Sequence, residues 1–322
     1  MTMLRQGAAL ALLGLLALGG PAAAQTYPDR PVKIIVPIGP GGSYDLVGRL
    51  MAEQLSKRFP QGFFVENKPG AGTIVGTQAA VTSPADGYTL LVGGLSNIVF
   101  NAALYSKLPY DPLRDLKPVA LFYTFPYVLI ANKELPFRTL DDIVKAAKDK
   151  PDSISIANAG VGTGQQLVAA AFMKAAGIKF LEVPYKGVTA AYPDLFAGRV
   201  DLFFDSASAA LPHIQADKVR GIALAGPKRS ALIASVPTMA EAGIKGFDIE
   251  SWLGLFVPAA TPEPVVEKLR AEIKAVLPEL KARFEQSGGN VIEMTPAETG
   301  AFIKAEYDAW TKVIKDAGLK LD

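Results

Sequence analysis

Two glycine-rich turns are the part of this sequence whose residue types and spacing could bind an anion. Residues 39–45 read GPGGSYD and residues 160–164 read GVGTG, and each turn follows an apolar strand-like run and opens a helix-like one. The first turn of a helix leaves backbone N–H groups unpaired and carries a partial positive charge, and glycine lets a carboxylate approach the bare backbone. Two such helix ends that face each other would hold a dianion.

Local signals indicate where the two helices begin. Ser43 is the expected N-cap of the first helix, and Thr163 with Gln166 forms the pattern of a capping box at the second. Similar turns join strands to helices in α/β proteins that bind nothing there, so the pairing of the two turns carries the inference. Neither turn has the GxGxxG spacing of a dinucleotide site or the Lys-Ser/Thr of a phosphate loop, which disfavours nucleotide binding.

The N-terminal segment has the pattern of a secretory signal. Arg5 precedes an apolar stretch at residues 8–18, and Ala22 and Ala24 flank an expected cleavage site before Gln25. We therefore expect residues 1–24 to be a cleaved signal peptide and the mature chain to be a soluble exported protein.

Composition excludes several classes of site and partner. The chain has no cysteine, which excludes a lipid-modified N-terminal cysteine, a disulfide framework and a thiolate metal site. The net charge is +2 and neither sign forms a long block, so nothing indicates a nucleic acid or a membrane surface as partner.

Strand-like and helix-like runs alternate along the rest of the chain, which is typical of an α/β fold. The chain is longer than a single hydrophobic core usually accommodates, so we expect two lobes, each a mostly parallel sheet flanked by helices. Crossings near residues 125 and 250 would assign residues 25–125 and 250–322 to lobe 1 and residues 126–249 to lobe 2. The C-terminal helices would then return to lobe 1. Two crossovers at the hinge would permit closure around a ligand.

The residues that follow each strand-like run are the candidates for ligand contact, because ligands in open α/β sheets lie beyond the carboxyl ends of the strands. They fall into five clusters that one cleft would bring together: Ile38, Gly41, Gly42, Ser43, Tyr44 and Asp45; Ser96; Asn158, Gly160, Gly162, Thr163 and Gly164; Tyr185; and Asp205.

Three polar side chains in these clusters have a second interpretation. Asp45 could stabilise the first turn of its own helix rather than contact a ligand. Asp205 could be the N-cap of the following helix, or a partner for a ligand amine or hydroxyl. Lys186 could be solvated, or could donate to an anion.

Catalysis is not indicated by the sequence. His213 is the only histidine, it lies on the apolar side of a helix-like run, and no GxSxG elbow occurs. No calcium-loop pattern is present. We expect no catalytic residue, no metal and no cofactor. An exported hydrolase on the same scaffold is the alternative, and release of a product from a bound acid derivative would distinguish it.

Several stretches in a fixed order give the chain a family resemblance. The chain resembles, over essentially its whole length, the receptors of tripartite tricarboxylate transporters, also called the Bug family. The stretches that carry the resemblance are YPDRPVK at residues 27–33, residues 36–45, ENKPGAG at 66–72, DGYTLL at 86–91, VPYKG at 183–187, GRVD at 198–201, and residues 237–243.

The resemblance implies a periplasmic receptor of the type II class that closes on a small carboxylate and hands it to membrane permease subunits. Backbone amides and hydroxyls of the two glycine turns would hold the carboxylate, partly through ordered water. The receptor is expected to be a monomer. A co-receptor that presents the ligand to a membrane sensor kinase is the alternative that the sequence leaves open.

The identity of the carboxylate also stays open at this point. Family members often carry an aromatic residue where this chain has Ile38, a small or hydroxyl residue where it has Tyr44, and a histidine where it has Gln166. The ring of Tyr44 could narrow the pocket or stack on an aromatic acid. Aliphatic di- and tricarboxylates, amino acids and aromatic acids are all candidates.

Overall fold

A computed structural model describes residues 27–316, so the predicted signal peptide at residues 1–24 lies outside the described residues. The described part forms ten strands, namely β1 Val32–Val36, β2 Phe63–Asn67, β3 Thr89–Gly94, β4 Leu116–Asn132, β5 Ser155–Asn158, β6 Leu181–Pro184, β7 Leu202–Ser206, β8 Val219–Ala225, β9 Glu250–Pro258 and β10 Asn290–Val291.

The α-helices of residues 27–316 alternate with these strands. They are α1 Ser43–Arg58, α2 Ile74–Val81, α3 Asn101–Leu104, α4 Pro112–Asp115, α5 Leu140–Asp149, α6 Gly164–Ala176, α7 Val188–Phe196, α8 Ala207–Gln215, α9 Glu263–Gln286 and α10 Pro296–Asp316. A π-helical turn, Leu95–Phe100, leads into α3, and a 3₁₀ turn spans Ala231–Ile233. No helix in this part of the chain is long and apolar enough to cross a membrane.

The long strand β4 belongs to two sheets and so creates two lobes. The strand order is β2-β1-β3-β9-β4-β7-β5-β6, with β8 and β10 also paired to β4. Residues from Leu116 to Pro126 pair with β9, whereas Tyr127 onward pairs with β7 and β8. We call the half with β1, β2, β3 and β9 lobe 1 and the half with β5 to β8 lobe 2. This confirms the predicted two-lobed α/β fold.

The sheets are mixed, whereas the sequence predicted mostly parallel ones. Parallel pairing is confined to β1 with β2 and β3, and to β5 with β6 and β7. Every pairing of β4 and β9 is antiparallel. Strand β4 runs from lobe 1 into lobe 2 and β9 runs back into lobe 1, so the two strands pair in opposite directions.

The two C-terminal helices lie against lobe 1. Helix α9 packs on α1, where Arg283 pairs with Glu53 at 2.8 Å and Arg58 pairs with Glu272. In α10 the ring of Trp310 meets Phe100 edge-on, with centroids 4.6 Å apart. The exact residues at which one lobe gives way to the other stay a prediction.

Residues 95–104 are helical and follow β3 directly. The amide of Asn97 contributes to this, because its Oδ1 accepts from the Gly94 N–H at 2.9 Å and its Nδ2 donates to Thr77 Oγ1 at 3.2 Å. Of these contacts, the one with Thr77 is long-range, so the local sequence does not reveal it. The two contacts hold Ser96 in a fixed position, and π-helical turns are frequent at functional sites.

Candidate functional site

A cavity of about 470 Å³ lies between the two lobes, at the carboxyl ends of β1, β2, β5 and β6. Lobe 1 lines it with Pro37, Ile38, Gly39, Ser43, Tyr44, the loop from Pro69 to Thr73, Ser96 and Tyr105; lobe 2 lines it with Tyr127, Ala159, Gly160, Val161, Thr163, Gln165, Tyr185, Lys186, Gly187 and Val188. This volume is in the range of pockets for small molecules.

Helix α1 presents its N-terminus to the cavity. Its N-cap is Gly42 in an extended conformation (φ −90°, ψ 176°), and no side chain caps the helix, so the prediction of Ser43 as N-cap was wrong. Ser43 is instead the first helical residue. The backbone N–H groups of Ser43, Tyr44 and Asp45 have no acceptor within the helix, and Ser43 and Tyr44 line the cavity. They are available donors for an anion.

Asp45 holds the first glycine turn together and does not line the cavity. Its carboxylate accepts from the Gly41 N–H at 3.1 Å, from Arg49 Nε at 3.0 Å and from Asn67 Nδ2 at 2.9 Å. Burial raises the pKa of Asp45, but these hydrogen bonds outweigh it and the pKa lies below its ordinary value. Gly41 and Gly42 are also outside the lining, and Gly42 lies between Ile38 and Val188.

The second glycine turn uses its own N–H groups internally. Asn158 Oδ1 accepts from Gly160 N at 3.0 Å, and Gln166 Oε1 accepts from Gly162 N at 2.8 Å. Thr163 Oγ1 donates to Gly160 O at 2.7 Å and does not cap α6, so the predicted capping box is not formed.

Of this second cluster, Gly160 and Thr163 line the cavity, whereas Asn158, Gly162 and Gly164 lie behind it. In the first turn of α6, the backbone N–H groups that still have no acceptor are therefore those of Gln165 and Gln166. The free N–H groups of α6 thus lie one to two residues further along the chain than the glycines that the sequence analysis singled out.

The lobes touch on several sides of the cavity, which makes this a closed conformation. Gly164 N donates to Ser96 Oγ across the cleft at 3.0 Å, and Thr189 Oγ1 donates to Pro40 O at 2.7 Å. Gly72 lies so close to lobe 2 that a Cβ placed on it would be 2.2 Å from the carbonyl oxygen of Val161.

Four tyrosines supply hydroxyl groups to the cavity wall. Tyr44 Oη accepts from Ser96 N at 3.3 Å, and burial raises the pKa of Tyr44 and of Tyr127 well above the ordinary value. Tyr185 donates to Asp194 at 2.8 Å, and burial together with this contact raises its pKa to about 12. The fourth is Tyr105. All four hydroxyls stay protonated at neutral pH. Tyr44 and Tyr185 direct their O–H groups to Asn97 Oδ1 and Asp194, which leaves the O–H groups of Tyr105 and Tyr127 as donors for a ligand.

The cavity wall is nearly free of charge. Lys186 is the one charged side chain among the described lining residues, and it is exposed. Within residues 27–316 no group of three or more His, Asp or Glu side chains could hold a metal ion. His213 packs its ring on Tyr192 with centroids 4.1 Å apart, away from the cavity lining. The wall therefore suits a ligand held by N–H and O–H dipoles.

Asp205 lies behind the wall, completely buried. It accepts hydrogen bonds from Tyr192 Oη at 2.8 Å, Ser206 N at 2.8 Å and Gln165 Nε2 at 3.2 Å. The N-cap of α8 is Ser206, so the interpretation of Asp205 as that N-cap is excluded. It reaches the cavity only through Gln165, and burial raises its pKa to about 6.

The raised pKa of Asp205 predicts a pH-dependent stability. The folded protein holds the proton more tightly than the unfolded chain, whose pKa is near 3.8, so stability falls as the pH rises from about 4 to about 6. Asp205→Asn removes this penalty. Its stability relative to the wild type should rise by about 2.5 kcal/mol between pH 4 and pH 7.5. Urea unfolding of both proteins at the two pH values measures it, and a constant difference would contradict the assignment.

The sequence analysis missed several lining residues. The loop Pro69–Thr73 follows β2, and applying the strand-end rule to that strand would have found it. Gln165 follows the second glycine turn directly. Tyr105 and Tyr127 carry no local signal, because only the tertiary fold brings them to the cavity.

The two-lobed α/β fold with a ligand-sized cleft between the lobes defines a periplasmic binding protein of type II. The family model for the tripartite tricarboxylate transporter family receptor, TctC, matches residues 47–319, and the chain belongs to this family. The resemblance seen in the sequence is thereby confirmed.

Relatives and solved structures support the same placement. BugT of Bordetella pertussis is 33% identical over 320 residues, which cover 97% of this chain and 98% of BugT. R. palustris Rpa4515 with adipate superposes with a TM-score of 0.88 at 30% identity, covering 91% of this chain and 99% of that one. MatC from Rhodopseudomonas palustris with bound malate gives a TM-score of 0.85 at 31% identity, covering 89% and 100%.

Proposed function

We propose that this protein is a periplasmic receptor that captures a small carboxylate between its lobes and delivers it to the membrane permease subunits of a tripartite tricarboxylate-type transporter. The observation that carries the proposal is a cavity of about 470 Å³ between the lobes that is lined by the first residues of two helices, whose backbone N–H groups have no acceptor within the helix. Family membership supports the receptor role, and the adipate and malate bound by two relatives support the ligand class.

The ligand carboxylate is placed against the N–H groups at the start of α1 and α6. Contact with the ligand body falls to Ile38, Ser43, Tyr44, Ser96, Gly160, Thr163 and Tyr185, which all line the cavity. Asp45 and Asn158 act indirectly, since they hold the two turns through the N–H groups of Gly41 and Gly160. Gly42, Gly162 and Gly164 let the lobes approach each other.

Thermal unfolding of residues 25–322 across a panel of carboxylic acids tests the proposal. Purified protein should first be unfolded and refolded to remove any acid retained from the host. A ligand that binds only the folded form at about 100 times its Kd adds about 2.7 kcal/mol to stability. We expect a selective rise in Tm with one class of aliphatic, amino or aromatic acid. No rise with any carboxylate would contradict the proposal.

A further inference from the structure

The buried carboxylate of Asp205 has no cationic partner among the described residues, although it is 0% exposed. Taking such a charge out of water is unfavourable, and an asparagine of the same shape would avoid the penalty. An ionised carboxylate differs from an amide in one respect, because it accepts hydrogen bonds and never donates them.

Its contact with Gln165 is therefore directional. One of the two ends of the Gln165 amide must face Asp205, and an acceptor-only carboxylate selects the NH₂ end, Nε2, at 3.2 Å from Oδ1. Asp205 Oδ1 also accepts from the Ser206 N–H, and Oδ2 accepts from the Tyr192 hydroxyl. Both partners must donate, because the ionised carboxylate cannot. Asp205 thus fixes the orientation of the Gln165 amide from the side away from the cavity.

In this orientation the carbonyl end of the Gln165 amide is the end that is available to the cavity. Gln165 is half-buried and lines the cavity, and within residues 27–316 Oε1 receives no hydrogen bond from a protein donor. The polar groups that line the same cavity include donors, namely the free N–H groups at the start of α6 and α1 and the hydroxyls of Tyr105 and Tyr127. Gln165 Oε1 is an acceptor set among donors, beside the expected position of the ligand carboxylate.

We propose that Asp205 is a positioning residue which turns Gln165 into a fixed acceptor, so that the receptor selects carboxylates bearing a hydrogen-bond donor, a hydroxyl or an N–H, over analogues that lack it. This inference rests on the proposed function. A ligand without the donor leaves Oε1 desolvated and unpaired, which weakens its binding by about 10- to 100-fold relative to the matched donor-bearing acid.

The test measures affinity ratios within pairs of acids that differ by one donor. Suitable pairs are malate and succinate, lactate and propionate, mandelate and phenylacetate, and glutamate and glutarate, with both enantiomers of each chiral acid. Calorimetric titration of the wild type should give a ratio of about 10 or more in at least one pair. In Gln165→Met, which keeps the size and removes the acceptor, that ratio should fall to within about threefold of one.

Asp205→Ala tests the positioning role separately. Alanine removes the acceptor that Gln165 Nε2 faces, so the amide can turn its NH₂ end towards a ligand that lacks a donor, and the ratio should fall at least fivefold, which corresponds to about 1 kcal/mol. Asp201→Ala is the matched control, because Asp201 accepts from Ser155 N and Oγ at 2.8 and 2.7 Å and lies before β7, at the end away from the cavity. Its ratio should stay at the wild-type value.

The outcomes separate this inference from the proposed function. A wild type that binds no carboxylate contradicts both. A wild type that binds carboxylates without preference, or a preference that stays unchanged in either Gln165→Met or Asp205→Ala, overturns the positioning role and leaves the receptor role intact. If Asp205→Ala fails to fold, Gln165→Met alone decides, since that side chain is only half-buried.

Discussion

Gly72→Ala is expected to weaken carboxylate binding by about 100-fold or more, because it keeps the lobes from closing. A Cβ on Gly72 would lie 2.2 Å from the carbonyl oxygen of Val161 and 3.2 Å from Gly162 Cα, both in the opposite lobe. The loop cannot easily yield, since Gly72 O accepts from Asn101 Nδ2 at 2.9 Å. Calorimetric titration with the acid identified in the thermal panel measures the loss.

Backbone strain needs its own control, because Gly72 has a positive φ of +58°. Alanine in this region is unfavourable by about 1–2 kcal/mol wherever it occurs. Gly177, which follows α6, has a φ of +63° and open space around its Cβ position. Gly177→Ala should therefore lower stability similarly and leave affinity unchanged. Wild-type affinity in Gly72→Ala would show that the Gly72–Val161 contact is absent from the liganded state.

Ser43→Pro is expected to remove one backbone donor from the anion site without disturbing the helix. Ser43 is the first residue of α1, a position that proline tolerates, and Gly42 before it already has the extended conformation that proline favours. Ser43→Ala removes only the hydroxyl. Ser43→Pro should bind the acid about 10- to 100-fold more weakly than Ser43→Ala, since a hydrogen bond to a charged group contributes about 1.5–3 kcal/mol.

The comparison of these two variants isolates the N–H group, because both lack the serine hydroxyl. Their urea unfolding curves should agree within about 1 kcal/mol, as proline at this position replaces an N–H that has no partner in the helix. Equal affinities of the proline and alanine variants would place the carboxylate elsewhere in the cavity.

The junctions of β1 with α1 and of β5 with α6 could be predicted from the sequence because apolar periodicity changes there and glycine marks the turn. Thr163 is the N-cap residue of α6 at the position that the capping pattern indicated, although its side chain does not cap the helix, whereas the position of the α1 cap was not predicted. Ser43 has the chemistry of an N-cap, but the extended backbone at Gly42 moves the cap one residue back. Asp45 accepts from Asn67 on β2, a contact that no local pattern reveals.

The first half of the strand that joins the lobes is not evident from the sequence, because β4 begins at Leu116 and contains Pro118 and Pro126. Proline normally argues against a central strand, and here irregular register next to Pro118 accommodates one of the two. The cavity-facing tyrosines Tyr105 and Tyr127 were missed for a related reason, because their place depends on how the lobes meet.

The distance between the lobes, measured with and without ligand, tests the central claim most directly. The chain has no native cysteine, so Val75→Cys and Ala190→Cys, at exposed positions near the cleft on α2 and α7, can carry a unique pair of fluorescent dyes. A carboxylate that raises the Tm should shorten the dye separation with the same saturation curve as binding. A carboxylate that binds at one site per chain and leaves the separation unchanged would contradict capture between the lobes.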